Sequence, residues 1–304
     1  MKKTVLITGG SGLLALNWAA AIRDRYSVVL GLHSQSTSLA GVDARQINLE
    51  SVDHLVCAFE TVQPQIVIHA AGFTNVEECE AEPSLARHVN VDLATNVARA
   101  CAKLNVPLVH ISTDHLFSGE ASLVDETHEV APRNIYGQTK AEAELRVLEI
   151  HTQTLVIRTN FYGWGPSYRS SFSDVVIEAL RSGKGMTLFK DVFYTPILIE
   201  VVVRAVHDLI NLKASGIFHL VGDERISKYE FGLKIAKGFS LASDRILSGF
   251  LADRSQLVRR PYDMSLSTQK VCRVLGRKLG GVDEHIARLR QQEQDGLARE
   301  LRCL

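Results

Sequence analysis

Residues 5–15, Val5-Leu6-Ile7-Thr8-Gly9-Gly10-Ser11-Gly12-Leu13-Leu14-Ala15, place an apolar strand, a tight glycine turn and the start of a helix in immediate succession. That order is the opening of a dinucleotide-binding βαβ unit. Gly9 permits the turn, and Gly12 lets backbone N–H groups at the helix start, Leu13 and Leu14, approach a pyrophosphate. The third position of the glycine spacing is Ala15, one methyl larger where helix and strand pack, which such a contact tolerates. A glycine cluster alone is weak evidence; its place behind a strand and within an alternating rhythm makes it strong.

The rhythm continues through the first half. Short Val-, Ile- and Leu-rich runs near 4–8, 27–32, 44–47, 65–69, 107–112 and 154–158 alternate with helix-like segments at Leu13–Arg25, Val52–Glu60, Leu85–Leu104 and Tyr136–His151. This predicts an α/β chain with a Rossmann-like, doubly wound parallel sheet covered by helices on both faces. Pro83 and Ser84 suit the start of the third helix, and Pro107 follows its end. Past about residue 160 the rhythm loosens: Gly163, Gly165 and Pro166 mark a break, Arg169–Arg181 is helix-like, and Ile197–Leu212 is an apolar helix that should return to the first domain. From Gly216 a strand IFHLV, a helix Lys228–Phe239 and charged terminal helices suggest a smaller lobe. The expected division is 1–160 with about 197–212 for the NAD(P)-binding domain, and about 161–196 with 213–304 for a substrate-binding lobe. The run RLRQQEQDGLARELR reads as an exposed charged face.

Composition narrows the function classes. The 304 residues carry 34 Lys and Arg against 34 Asp and Glu, and that balance argues against nucleic acid or an acidic membrane as partner. No run approaches the 18 or so consecutive apolar residues of a spanning helix. Lys2 and Lys3 ahead of TVLI could pass for a signal peptide, but Thr8-Gly9-Gly10-Ser11-Gly12 breaks the apolar region and a strand leading into a phosphate-binding turn explains it better. Cys57, Cys79, Cys101, Cys272 and Cys303 are odd in number and scattered, so neither a disulfide framework nor a zinc site is indicated, and the cytoplasm is the expected compartment.

Two further patterns bear on chemistry. An NAD-specific site usually offers Asp or Glu at the end of the second strand to meet the ribose 2′-OH; here the segment is Val28-Val29-Leu30-Gly31-Leu32-His33-Ser34. His33 and Ser34 could donate to a 2′-phosphate, favouring NADP over NAD, and Asn48-Leu49 after the third strand would sit beside the adenine. Tyr136-Gly137-Gln138-Thr139-Lys140 puts a phenol and an ammonium on one helix face. The ammonium would lower the phenol's pKa, so that Tyr136 could exchange a proton with a substrate oxygen. Ile111-Ser112-Thr113-Asp114 ends an apolar strand some twenty residues earlier, where a hydroxyl can hold the carbonyl oxygen that Tyr136 protonates.

With these residues the chain resembles the extended short-chain dehydrogenases/reductases, and more narrowly the dTDP-4-dehydrorhamnose reductase-like group of nucleotide-sugar reductases. The matching segments are TGGSGLLA at 8–15, HAAGFTNVEECEAEP at 69–83, HVNVDLATNVARAC at 88–101, ISTDHLFSG at 111–119, APRNIYGQTKAEAE at 131–144, VIRTNFYG at 156–163, DVFYTPI at 191–197, GIFHLVGDERISKYEFG at 216–232 and RRPYDMSLST at 259–268. The resemblance implies that Thr113 is the catalytic hydroxyl, Tyr136 the proton donor, and Lys140 the residue that binds nicotinamide ribose and tunes the tyrosine. It implies that Gly9, Gly12 and Leu13 form the pyrophosphate turn and that Ala70, Ala71 and Gly72 lie against the cofactor. Asn90 falls at a helix-start position near the active-site water network. Thr74, Val76 and Phe161 fall where related reductases meet the sugar, and Arg259 or Arg260 where a basic residue contacts the nucleotide diphosphate. The mouth of the site is expected near 161–169, 191–196 and 259–262. His115 and Ser118 replace the usual Tyr and Asp of the STDYVFDG segment, and Phe161 the usual Trp, which sets the chain apart from the rhamnose pattern.

The function so implied is NADPH-dependent reduction of a nucleotide-linked 4-keto-6-deoxy sugar. A C4 epimerase of the same superfamily, or an NADP-binding regulatory subunit such as that of methionine adenosyltransferase, remains open, and so does a homodimer. A 4,6-dehydratase would need an acidic pair after Thr113, and Asp114 is followed by His115. His69 and His110 are expected as packed core histidines and His33, His54 and His285 at the surface; no metal is predicted.

Overall fold

The structure is a computed structural model and describes residues 2–304. Six strands follow in the first half: β1 (Thr4–Thr8), β2 (Ser27–Leu32), β3 (Asp43–Gln46), β4 (Ile66–His69), β5 (Leu108–Thr113) and β6 (Leu155–Thr159). Short strands come next, β7 (Phe161–Tyr162), β8 (Met186–Phe189), β9 (Phe193–Tyr194) and β10 (Ile197–Leu198), before β11 (Gly216–His219), β12 (Ile226–Ser227) and β13 (Ile246–Gly249). The main sheet has seven strands in the order β11-β6-β5-β4-β1-β2-β3, and every neighbouring pair is parallel. The strand order reverses between β1 and β4, so a crevice opens there beyond the strands' carboxyl ends. This is the α/β architecture the sequence implied, with one correction. The strand at 216–219, expected to open the smaller lobe, instead completes the main sheet beside β6.

Alternate strand residues point to opposite faces. Ile7, Leu30, Ile68, Ile111 and Ile157 belong to one core, beneath α1 (Leu13–Ile22) and α8 (Ile199–Asn211). Leu6, Val29, Val67 and Leu108 belong to the other, with α2 (Val52–Val62), α5 (Leu93–Leu104) and α6 (Ile135–Ile150) over them. Strands buried on both faces must be continuous apolar runs, which is why they were visible in the sequence. Helix α8 packs against α1, where Trp18 Nε1 donates to His207 Nε2 at 3.2 Å.

The long helix expected over 85–104 is broken. After α3 (Val76–Ala81), α4 (Pro83–Arg87) runs into a π-helical turn, His88–Asp92, before α5 begins, so Asn90 stands inside that turn rather than at a helix start. Helix α7 (Phe172–Arg181) begins three residues later than expected, because Ser171 and Asp174 form a reciprocal capping box that fixes its start. Of the remaining helices, α9 (Lys228–Gly238), α10 (Gln269–Leu275), α11 (Val282–Gln294) and α12 (Leu297–Arg302), the last two correct the reading of the charged tail. Ile286, Leu289, Ala298 and Leu301 are buried in the first core. His285, expected at the surface, is buried with Nε2 against the Leu279 carbonyl at 2.9 Å. No described helix is long and apolar enough to cross a membrane.

Candidate active site

A continuous cleft of about 940 Å³ lies at the carboxyl ends of the central strands. Its lining gathers Gly9, Gly12, Leu13 and Leu14 from the first turn, His33 and Ser34 after β2, Asn48 and Leu49 after β3, and Ala70, Ala71, Gly72, Thr74 and Val76 after β4; Thr113, Tyr136, Lys140 and Phe161 close it. Residues picked from separate parts of the sequence thus face one space.

At the first turn, Gly9 has φ +68°, and a Cβ there would stand 2.7 Å from the Ala71 backbone. Only glycine fits both constraints. Gly10 N donates to the Gly31 carbonyl at 2.9 Å, holding the turn against β2. Helix α1 has no side-chain cap and no acidic residue in its first turn, which leaves its leading N–H groups to meet an anion. A dinucleotide pyrophosphate fits this cradle, and no carboxylate stands among His33, Ser34 and Gln35 after β2. The loop after β4 is fixed by Asn90, whose Oδ1 accepts from Phe73 N at 2.8 Å while Nδ2 donates to the Phe73 carbonyl and to Thr139 Oγ1, both at 3.0 Å. The π-helical turn therefore ties that loop to α6.

Helix α6 presents the phenol and the ammonium. Asn134 caps it by accepting from Gly137 N at 2.9 Å. A side chain at 137 would put its Cβ 2.4 Å from the His115 carbonyl, so glycine allows α6 to approach the end of β5 and brings Tyr136 to Thr113. Burial pushes the Tyr136 phenol up to about 12, and hydrogen bonding with Thr113 opposes it. Lys140 is buried, donates from Nζ to the Ile111 carbonyl at 2.7 Å, and is brought down to about 8 by burial. The expectation that Lys140 lowers the phenol's pKa is thereby corrected: its ammonium is turned to a strand carbonyl, and Thr113 and Arg169 are the neighbours that draw the phenol down.

Arg259 and Arg260 do not line the cleft. The Arg260 guanidinium is held by Glu77, and the Arg259 carbonyl accepts from the Asn134 amide at 3.0 Å, so this segment is tied to the start of α6. Segments 191–196 and 259–262 are likewise absent from the lining, and 161 with 168–172 forms the mouth. The sequence reading named 161–169 for the mouth without singling out Tyr168 and Arg169, and it missed Asp114, His115 and Asn160 as site residues; all five face the cleft. Asp114 is buried, accepting from Thr113 Oγ1 at 3.3 Å and from the Asn160 amide. His115 stands edge-on to the Tyr136 ring, 5.5 Å between centroids. For Asp114 and His115 the signal was adjacency to Thr113; Tyr168 and Arg169 lie within the expected segment 161–169, on an irregular loop with no spacing to single them out.

The family described as RmlD substrate binding domain matches residues 1–294. A probable low-salt glycan biosynthesis reductase, Agl14, of Haloferax volcanii is 27% identical over 93% of this chain and 96% of its own. Methionine adenosyltransferase 2 subunit beta of Pongo abelii is 28% identical over 88% of this chain and 81% of its own. Among solved structures, dTDP-4-dehydrorhamnose reductase of Bacillus anthracis in complex with NADP superposes with a TM-score of 0.85 at 25% identity, covering 96% of this chain and all of that one.

Proposed function

Since the chain belongs to the RmlD substrate-binding domain family, we propose that it is an NADPH-dependent reductase of a nucleotide-linked 4-keto-6-deoxy sugar. The observation that carries this reading is the meeting of the glycine turn with Thr113, Tyr136 and Lys140 in one cleft. The dinucleotide would lie from His33 and Ser34, past Gly9, Gly12, Leu13 and Leu14, to Ala70–Gly72 and Lys140. NADPH bound there supplies hydride to the carbonyl carbon. Tyr136 gives its proton to the carbonyl oxygen, a role suited to a phenol that stays protonated at neutral pH. The Thr113 hydroxyl holds that oxygen, and Lys140, close enough to the cleft to leave the Ile111 carbonyl, takes the nicotinamide ribose. Thr74, Val76 and Phe161 face the sugar, with Asp114 and Asn160 beside them. The sheet-bearing residues form the cofactor domain, and the segments around α7, α9 and the short strands form the substrate lobe.

A panel of nucleotide-linked keto-sugars assayed by loss of NADPH absorbance tests the proposal. Turnover of at least one 4-keto-6-deoxy member is expected. The similarity to a methionine adenosyltransferase subunit supports a second reading, an NADP-binding partner protein. Firm NADP binding, no turnover on any keto-sugar, and a stable complex with another protein would favour it.

A further inference from the structure

The cleft is poor in cations for a site that must receive phosphates. Among the described residues lining it, Lys140 and Arg169 are the lysine and arginine side chains, and Lys140 is buried against a backbone carbonyl. Arg260 is neutralised by Glu77 outside the lining. Arg169 differs from both. It is exposed at the mouth, its Nη2 donates to the neutral Thr74 hydroxyl at 2.8 Å, and it forms no ion pair with a described residue, whereas Arg158, Arg181, Arg225 and Arg288 each meet a carboxylate.

The loop that carries Arg169 is held at its base and reaches across the cleft at its tip. Gly165 N and Ser171 N both donate to Asp174 Oδ2 at 2.9 Å. From that base Tyr168 Oη donates to the Ser11 carbonyl in the glycine turn at 2.8 Å, and Arg169 reaches Thr74 on the opposite wall. Its charge also draws down the Tyr136 phenol, so the guanidinium stands over the space between the first turn and the catalytic group. A planar fork of donors with no carboxylate to meet suits a phosphate oxygen pair.

We propose that Arg169 is the phosphate-recognising cation of this cleft, exchanging its Thr74 contact for a diphosphate. Two molecules offer that group, the nucleotide sugar and the dinucleotide pyrophosphate. The inference rests on the reductase reading of the cleft, and its test separates the two.

The affinities of dTDP and UDP, each against its nucleoside, are measured by calorimetry on NADP-saturated protein, and NADPH affinity is measured by nicotinamide fluorescence. The proteins are wild type, Arg169→Ala, Arg169→Lys and Arg260→Ala. A substrate contact appears as a loss of about 10-fold or more in diphosphate affinity in Arg169→Ala, partly recovered in Arg169→Lys, with NADPH affinity unchanged. A cofactor contact appears as the same loss in NADPH affinity with the diphosphates unchanged. Arg169→Ala that melts as wild type does and keeps both affinities overturns the proposal, as does a loss confined to Arg260→Ala. Wild-type protein that binds NADPH but neither diphosphate defeats the substrate reading, and the NADPH arm alone then decides for Arg169. Binding of neither defeats both.

Discussion

At the Tyr136 hydroxyl, one oxygen carries the proposed chemistry, and burial determines the form it takes. With its phenol pushed up to about 12, Tyr136 is a donor at neutral pH and a poor base, which matches reduction better than oxidation. Tyr136→Phe keeps the ring against His115 and removes the proton, so kcat should fall by about 10²–10⁴-fold while NADPH affinity stays within experimental error. Parent-rate turnover by that variant would refute the mechanism. The pH profile probes the neighbour. Lys140, brought down to about 8 by burial, is a cation below that value and neutral above it, so the alkaline limb of kcat/KM in the free protein should fall near there, well short of the tyrosine. Lys228 is brought to about the same value, also by burial, but lies outside the cleft lining. Lys228→Met should therefore leave the limb in place, and its disappearance in that variant would assign the limb to Lys228.

Helix α6 shows how an element turns a local signal into a site. Asn134 caps its first turn and, through its amide nitrogen, holds the Arg259 carbonyl, so one side chain sets both the start of the helix and the segment tied to it. Asn134→Ala should cost about 1 kcal/mol from the cap and more from the orphaned Arg259 carbonyl. A lowered urea midpoint with unchanged slope, together with reduced kcat, is expected; an unchanged midpoint would show that the cap contributes nothing. The same scale explains what could be read from sequence. Strands β1, β2, β4, β5 and β6 declared themselves because parallel strands buried on both faces are unbroken apolar runs, and the Tyr136–Lys140 pair because a four-residue spacing has meaning only on a helix. Strands β7, β9, β10 and β12 have two residues each, too few for any period. The π-helical turn at His88–Asp92 leaves no trace in composition, since its backbone bonds and not its residue types distinguish it. Arg169 lay on a loop whose reach depends on where Asp174 pins it, and no spacing encodes that.

The whole molecule is closed by its C-terminus, and there composition misled. Val282, His285, Ile286, Leu289 and Gln292 form a helical stripe that is buried, while Arg181–Glu293 and Arg23–Glu300 bridge the tail to α7 and α1 along the rim; the many charges hid the stripe. The interior these helices help to close holds histidines that must stay neutral. Burial brings His69 down to about 3, His219 to about 3 and His207 to about 4. In the unfolded chain each titrates near about 6.5. Above that pH both states leave them neutral and their contribution to stability is full. As pH falls below it, the unfolded chain binds protons that the folded one refuses, and stability is lost until the folded values are reached. Each histidine then costs about 1.4 kcal/mol per pH unit, so three together remove about 4 kcal/mol per unit from a total of about 5–15 kcal/mol. The melting temperature should hold between pH 8 and 7 and drop steeply from about pH 6.5 to 5. Burial holds His110 well below its usual value too, so replacing one of these histidines, as in His207→Gln, should make the fall shallower by less than a third even if it lowers the plateau. A melting temperature level down to pH 5 would mean that these side chains accept protons in the folded state, and the closed interior described by their burial would then be open to water.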